Sequence, residues 1–148
     1  MTNEFKTVFE YYLNPEREIL FGTEVRRAMT EFVGVPPPMP PAALPYFADW
    51  FLFDFLFAEG EPPVRRFPKA NPQNLSVGEL APFVELAEHN RFDFFAVAAL
   101  TNERMIFTSI RDGSRYEVVR GDMRTAEGEV VVCRIGRAKG AWEVMDLD

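Results

Sequence analysis

The sequence is poor in the residues that most often build metal and nucleophilic sites, because it has one histidine, His89, and one cysteine, Cys133. A single cysteine cannot form an intrachain disulfide, which fits a reducing compartment. With no C-x-x-C or H-x-x-x-H pair, no metal site is predicted. We interpret His89 as the C-terminal residue of a helix, where the helix dipole favours its cation. Cys133 follows three valines and is interpreted as a small core residue.

Long apolar runs and a signal sequence are also absent. In the aromatic-rich segment of residues 45–60, the apolar run of residues 50–53 ends at Asp54. A membrane helix needs about 20 apolar residues. Residues 1–13 lack the charged start and continuous apolar stretch of a signal peptide. The sequence therefore predicts a cytoplasmic protein without a membrane partner.

Motifs for catalysis and phosphate binding are missing as well. The sequence contains no G-x-S-x-G, G-x-x-x-x-G-K or G-x-G-x-x-G pattern. A serine nucleophile would have to use His89 as its base, and Ser76 already fits a helix cap. We predict no catalytic residue and no cofactor, and a non-enzymatic role is favoured over an enzyme.

The whole chain has a formal net charge of −7. Most of this negative charge lies in the first part of the sequence. Residues 1–90 hold 13 acidic and 7 basic side chains, and residues 91–148 hold 10 and 9. An acidic protein is repelled by nucleic acid and by anionic lipid unless its basic residues are segregated. A nucleic-acid surface is therefore conceivable only in the second part.

The spacing of apolar residues changes near residue 91. Helical spacing predicts helices at about residues 3–13, 23–33, 45–59 and 76–90, the last opened by a Ser76–Glu79 capping box. Alternation then predicts strands at 92–100, 104–110, 115–120, 129–135 and 141–147. We predict an α+β protein: helical residues 1–90 pack on a five-stranded antiparallel, barrel-like sheet of residues 91–148 and share one core with it.

Residues 35–45 are rich in proline, which disfavours helix and sheet interior and predicts an extended connector. Such a segment can be a ligand for an aromatic groove of a partner, or a strap over the protein's own aromatic surface. The strap is favoured because aromatic residues follow immediately.

The most distinctive segment is residues 45–60, since seven of the twelve residues from 46 to 57 are aromatic. The alternation of Phe51, Phe53, Phe55 and Phe57 would fit a strand, but the flanking proline and glycine and the length favour a buried helix.

Asp49 and Asp54 are the polar exceptions in this segment. On a helix they would lie about 140° apart, so they are not predicted to act as a carboxylate pair. Asp54, between two phenylalanines, is predicted to be partly buried and paired with Arg65 or Arg66. A structural role of this pair is favoured over a functional one.

The pattern F-x-x-W-F-x-F-D at residues 47–54 precedes a β-module with a D-G turn, a Y-x-V at 116–118 and a strand that ends at Arg134. Over residues 44–147 the chain resembles a group of uncharacterised bacterial proteins. Some of them end in the cysteine-rich zinc motif found at the C-terminus of the translocase SecA. This sequence lacks that motif, so zinc-dependent partner binding is not implied. The resemblance implies a family without an assigned activity.

Six arginines flank the turns of the predicted sheet: Arg111, Arg115, Arg120, Arg124, Arg134 and Arg137. If the turns converge, these residues would form an edge that binds anions or nucleic acid. Acidic neighbours and few aromatic residues suited to base stacking favour mixed-charge solvated loops instead.

An aromatic surplus without catalytic chemistry predicts a protein-interaction module whose partner is a protein, including a second copy of itself in a homo-oligomer. The alternative is a nucleic-acid-binding accessory protein that uses the arginine edge, which is not favoured. A second alternative is an enzyme or ligand carrier with a site between the two halves, near Asp54.

Overall fold

The computed structural model describes residues 3–14, 16, 18–34 and 39–145. Within these residues five α-helices precede five β-strands, which confirms the predicted α+β class and its order along the chain. The helices are α1 (Asn3–Leu13), α2 (Glu18–Val33), α3 (Leu44–Phe53), α4 (Pro63–Ala70) and α5 (Val77–Glu88). The strands are β1 (Asn90–Leu100), β2 (Arg104–Ser109), β3 (Arg115–Val119), β4 (Val130–Ala138) and β5 (Ala141–Met145).

Helices α1 and α5 follow the sequence prediction closely. α5 begins with the predicted capping box, in which the Ser76 hydroxyl accepts from the Glu79 amide and the Glu79 carboxylate accepts from the Ser76 amide. These two bonds satisfy amides that a helix N-terminus otherwise leaves unpaired. α2 begins at Glu18, earlier than the predicted residue 23.

The proline-containing segments differ from the prediction. Residues 35–38 lie outside the described residues, and Pro41–Ala43 form a short 3₁₀ helix that leads into α3. α4, which was not predicted, starts at Pro63. Proline is tolerated in the first turn of a helix because its missing N–H has no partner there. The prediction of an extended conformation is wrong for residues 41–45, since these residues belong to the 3₁₀ helix and to the start of α3.

α3 ends at Phe53 rather than at residue 59. The Asp54 amide still donates to the Trp50 carbonyl, but the Asp54 backbone has left helical geometry. Phe55 and Phe57 are nevertheless buried, with an exposed Leu56 between them. The irregular chain that follows α3 thus buries the aromatic residues that a longer helix was predicted to bury.

The five strands pair in the closed order β1-β2-β3-β5-β4. β4 pairs with β1, so β5, which follows β4 through a tight turn, runs in the same direction as β3 and pairs with it in parallel. The prediction of a purely antiparallel sheet is therefore wrong, and the sheet is mixed. β1 is long enough to pair with β2 along its later half and with β4 along its earlier half.

The buried apolar side chains of the described residues form two clusters. One fills the inside of the sheet, from Phe95 on β1 to Ile135 on β4. The other lies among the helices and includes Met145 of β5. α5 packs directly on the β4 backbone, since a Cβ built at Gly136 would lie 2.5 Å from Leu86 Cδ1. No helix within the described ranges combines the length and the apolar character needed to cross a membrane.

Candidate functional site: a cavity between helix α3 and the sheet

Arg134 lies at the centre of the contact between the helices and the sheet. It precedes Ile135, whose side chain is inside the sheet, and side chains alternate along a strand. The Arg134 side chain therefore projects from the outer face, where it is only 4 % exposed. A guanidinium buried to this degree must be paired and hydrogen-bonded.

Two carboxylates and one amide bind the Arg134 guanidinium. Nε donates to both oxygens of Asp49, at 2.9 and 3.1 Å, and Nη1 donates to the Asn90 side-chain oxygen at 2.9 Å. Nη2 donates to Asp54 Oδ2. The guanidinium also lies 4.5 Å above the centre of the Phe53 ring. These contacts tie α3 to β4 across 80 to 85 residues of sequence.

The predicted partners of Asp54 are wrong. Arg66 forms an ion pair with Glu59 and stacks over Phe57, and Arg65 is exposed. Asp54 is half-exposed, at 49 % of its side chain. The prediction chose the arginines nearest in sequence, but the partner of Asp54 is Arg134, which follows it by 80 residues on β4.

Asp49 and Asp54 do converge, contrary to the helical-wheel prediction. α3 ends before Asp54, and the change in backbone direction brings both carboxylates to one guanidinium. A signal for Arg134 was present in the sequence, because an arginine directly after an apolar run in a strand needs a buried partner.

A cavity of about 540 Å³ opens beside this cluster. Of the described residues that line it, three are charged, namely Asp49, Asp54 and Arg134. Its aromatic lining comes from four elements: Phe5, Phe32, Tyr46, Trp50 and Phe92. Tyr46 is 73 % exposed. The arrangement combines apolar aromatic walls with a small polar group, which is typical of ligand sites.

Burial raises the pKa of Asp49 above its usual value, against the opposing influence of Arg134, and the neighbouring Asp54 adds to the rise. The charge and the hydrogen bonds of Arg134 thus offset only part of the cost of burying this carboxylate. With two carboxylates against one guanidinium, the charged cluster carries an excess of one negative charge when both aspartates are ionised.

A second polar network occupies the inside of the sheet near its first strand. Asp93 is fully buried and accepts from the Ser109 hydroxyl at 2.8 Å, from the Phe94 amide and from Arg91. Burial acts to raise the pKa of Asp93, but these donors outweigh it and the pKa is lowered. Asp112 and Tyr116 also bind Arg91. These mutual contacts indicate a structural network that closes one end of the sheet.

The six arginines do not form a common edge. Arg111 and Arg115 flank the β2–β3 turn, whereas Arg120 and Arg124 belong to the β3–β4 connection at the opposite end of the sheet. Arg134 is buried, and the remaining residue, Arg137, donates to Glu85 of α5 at 2.7 Å. Because successive strands alternate in direction, successive connections alternate between the two ends of the sheet. The convergence that an arginine edge would require is therefore not found.

The two residues with possible metal chemistry are separated in the structure. His89 caps the C-terminus of α5, as predicted. Cys133 is partly exposed and lines the cavity instead of being fully buried. Within the described part of the chain, no three residues among histidine, cysteine, aspartate and glutamate are grouped so that they could hold a metal ion.

An apolar surface adjoins the cavity on the outer face of β1 and β4. We call it the β1–β4 strip, and it consists of Phe92, Phe94, Val130 and Val132, each about half exposed. Phe94 is the register partner of Val132, and Phe92 and Val132 also line the cavity. The sequence contained a signal for this surface, since residues 130–132 are all valine and a strand cannot place all of them on one face.

Comparison with known proteins finds no matching family model, no significantly similar curated protein and no significantly similar solved structure. The resemblance to uncharacterised bacterial proteins therefore stays a prediction.

Proposed function

We propose that this protein is a non-enzymatic interaction module that self-associates through the β1–β4 strip. The observation that carries the proposal is the strip itself: four large apolar side chains from two paired strands, all on one face and all half-exposed. Covering a half-exposed valine or phenylalanine contributes about 1 kcal/mol. Several such contacts on each protomer offset part of the entropy cost of association.

The distribution of charge favours a second copy as the partner. The strip carries no charged side chain, and it belongs to residues 91–148, whose acidic and basic residues nearly balance. The acidic excess resides in residues 1–90. Two strips can therefore face each other across a two-fold axis with little like-charge repulsion at the contact itself.

Sedimentation velocity over a wide concentration series tests this proposal. We expect the wild type to shift from monomer to dimer as its concentration rises, and Phe94→Glu to remain monomeric because it buries a carboxylate at the contact. Val77→Glu is the matched control, since Val77 is 88 % exposed on α5 and lies outside the strip. It should dimerise like the wild type. A wild type that stays monomeric throughout, or a Phe94→Glu variant that dimerises normally, would refute self-association through this face.

The nucleic-acid alternative lacks comparable support, because the arginines that it requires are divided between the two ends of the sheet or bound to carboxylates. We further propose a cytoplasmic location, on the ground that a single cysteine fits a reducing compartment.

A further inference from the structure

We propose that the cavity between α3 and the sheet binds a small organic cation with an apolar body, such as an alkylammonium or arylammonium ion. This site adjoins the β1–β4 strip and shares Phe92 and Val132 with it, but the binding proposed here does not depend on self-association. The proposal rests on the charge of the cluster, on the aromatic lining and on the volume of the cavity.

The first step is the sign of the charge. Asp49 and Asp54 share the guanidinium of Arg134, so among the described residues one negative charge of this cluster has no matching cation. Asp54 holds Arg134 through one oxygen, Oδ2, and half of its side chain is exposed. This carboxylate can therefore approach a ligand cation without losing its bond to Arg134.

The second step excludes an anion as the preferred ligand. Arg134 already donates to Asp49, Asp54 and Asn90, and its flat face lies on the Phe53 ring. An anion would have to displace a carboxylate from these contacts and would be repelled by the other. Displacement of a buried, charge-assisted hydrogen bond is costly.

The third step concerns the walls. Trp50, Tyr46 and Phe92 line the same cavity as the two carboxylates. Aromatic faces attract organic cations through their quadrupole, and tryptophan and tyrosine do so most strongly. An ammonium ion with an apolar body satisfies both the charge and the aromatic surface, whereas a hydrated inorganic ion satisfies only the charge.

The size of the cavity agrees with a small molecule. Its volume of about 540 Å³ falls within the range of about 300–1,000 Å³ that is typical of small-molecule sites. We therefore choose a ligand with one aromatic ring and a quaternary ammonium group as the probe.

Benzyltrimethylammonium is the probe for this site, with benzyl alcohol and phenylacetate as neutral and anionic comparators. Trp50 reports on the cavity, and a Trp142→Phe background removes the other tryptophan, which lies on β5. Titrations followed by fluorescence and by calorimetry should show saturable binding of the cation, and weaker binding of both comparators. Equal or tighter binding of either comparator, or no binding of the cation by either method, would overturn the proposal.

Variants then place the binding in this cavity. Asp54→Asn keeps the Asp49–Arg134 pair and should weaken binding of the cation roughly fivefold to tenfold, as expected for one partly exposed charge. Asp122→Asn is the matched control, because it removes the same charge from an exposed residue of the β3–β4 connection. Tyr46→Ala changes an exposed side chain and should also weaken binding. Unchanged affinity in both Asp54→Asn and Tyr46→Ala would contradict the assignment, as would an equal loss in Asp122→Asn.

Discussion

Replacing Arg134 by methionine should destabilise the protein strongly and in a pH-dependent way. Methionine keeps much of the length and apolar volume of the side chain but removes the guanidinium that binds Asp49 and Asp54. Breaking a buried ion pair by removing one partner costs about 3–5 kcal/mol. We assign most of this loss to Asp49, since its side chain is the more buried of the two carboxylates.

The pH dependence follows from the pKa of Asp49. In the wild type this pKa is already raised above 3.8, because burial outweighs Arg134. Without Arg134 the opposing influence disappears and the pKa rises further. The folded state then binds the Asp49 proton more tightly than the unfolded state does, so stability falls as pH rises from about 3.8 through the folded pKa. The difference in stability between wild type and variant is therefore largest at neutral pH and smaller in acid.

Urea unfolding followed by circular dichroism, at mildly acidic and at neutral pH, measures both effects. A double variant, Arg134→Met with Asp49→Leu, should recover most of the loss because it removes the uncompensated carboxylate and leaves apolar groups in its place. The reasoning fails if Arg134→Met costs less than about 1 kcal/mol at neutral pH. It also fails if the double variant is no more stable than the single one.

Two further predictions concern stability away from the cavity. Gly136→Ala should cost about 1–3 kcal/mol in urea unfolding, because its Cβ would overlap the fully buried Leu86. Gly78→Ala on α5 is its control. Apart from the adjoining residues and the nearby backbone of α5, no atom of the described residues lies within 4 Å of the added Cβ, so this variant should be as stable as the wild type or more so. Ser76→Ala should lower the free energy of unfolding by about 1 kcal/mol through loss of the capping box, and Ser76→Asp should restore most of it. Equal stability of Ser76→Ala and wild type would contradict the role of the cap.

Features that depend on neighbouring residues were predictable from the sequence. The capping box spans only four residues, from Ser76 to Glu79, and it predicts where α5 begins. The spacing of apolar residues predicts α1. The alternation after residue 91 predicts the strands for the same reason. The parallel pairing of β3 with β5 was not predictable from such patterns, since it results from the pairing of β4 with β1.

The end of α3 and the partner of the aspartates show where local reasoning fails. Phe51, Phe53, Phe55 and Phe57 are all buried, and both a helix and an extended chain can bury them. The sequence pattern therefore cannot locate the end of the helix. Arg134 is separated from Asp49 by 85 residues, so only the three-dimensional arrangement of β4 beside α3 identifies it as the partner.

The contact between Asp49 and Arg134 also has a consequence during protein synthesis. The ribosome must add 85 residues after Asp49 before its partner exists. At a rate of about 5–20 residues per second this takes roughly 4 to 17 seconds. Throughout that interval Asp49 lacks the guanidinium that binds it in the folded chain. Because an ionised carboxylate is costly to bury without its partner, we expect α3 to reach its final position against the sheet only after β4 has been made.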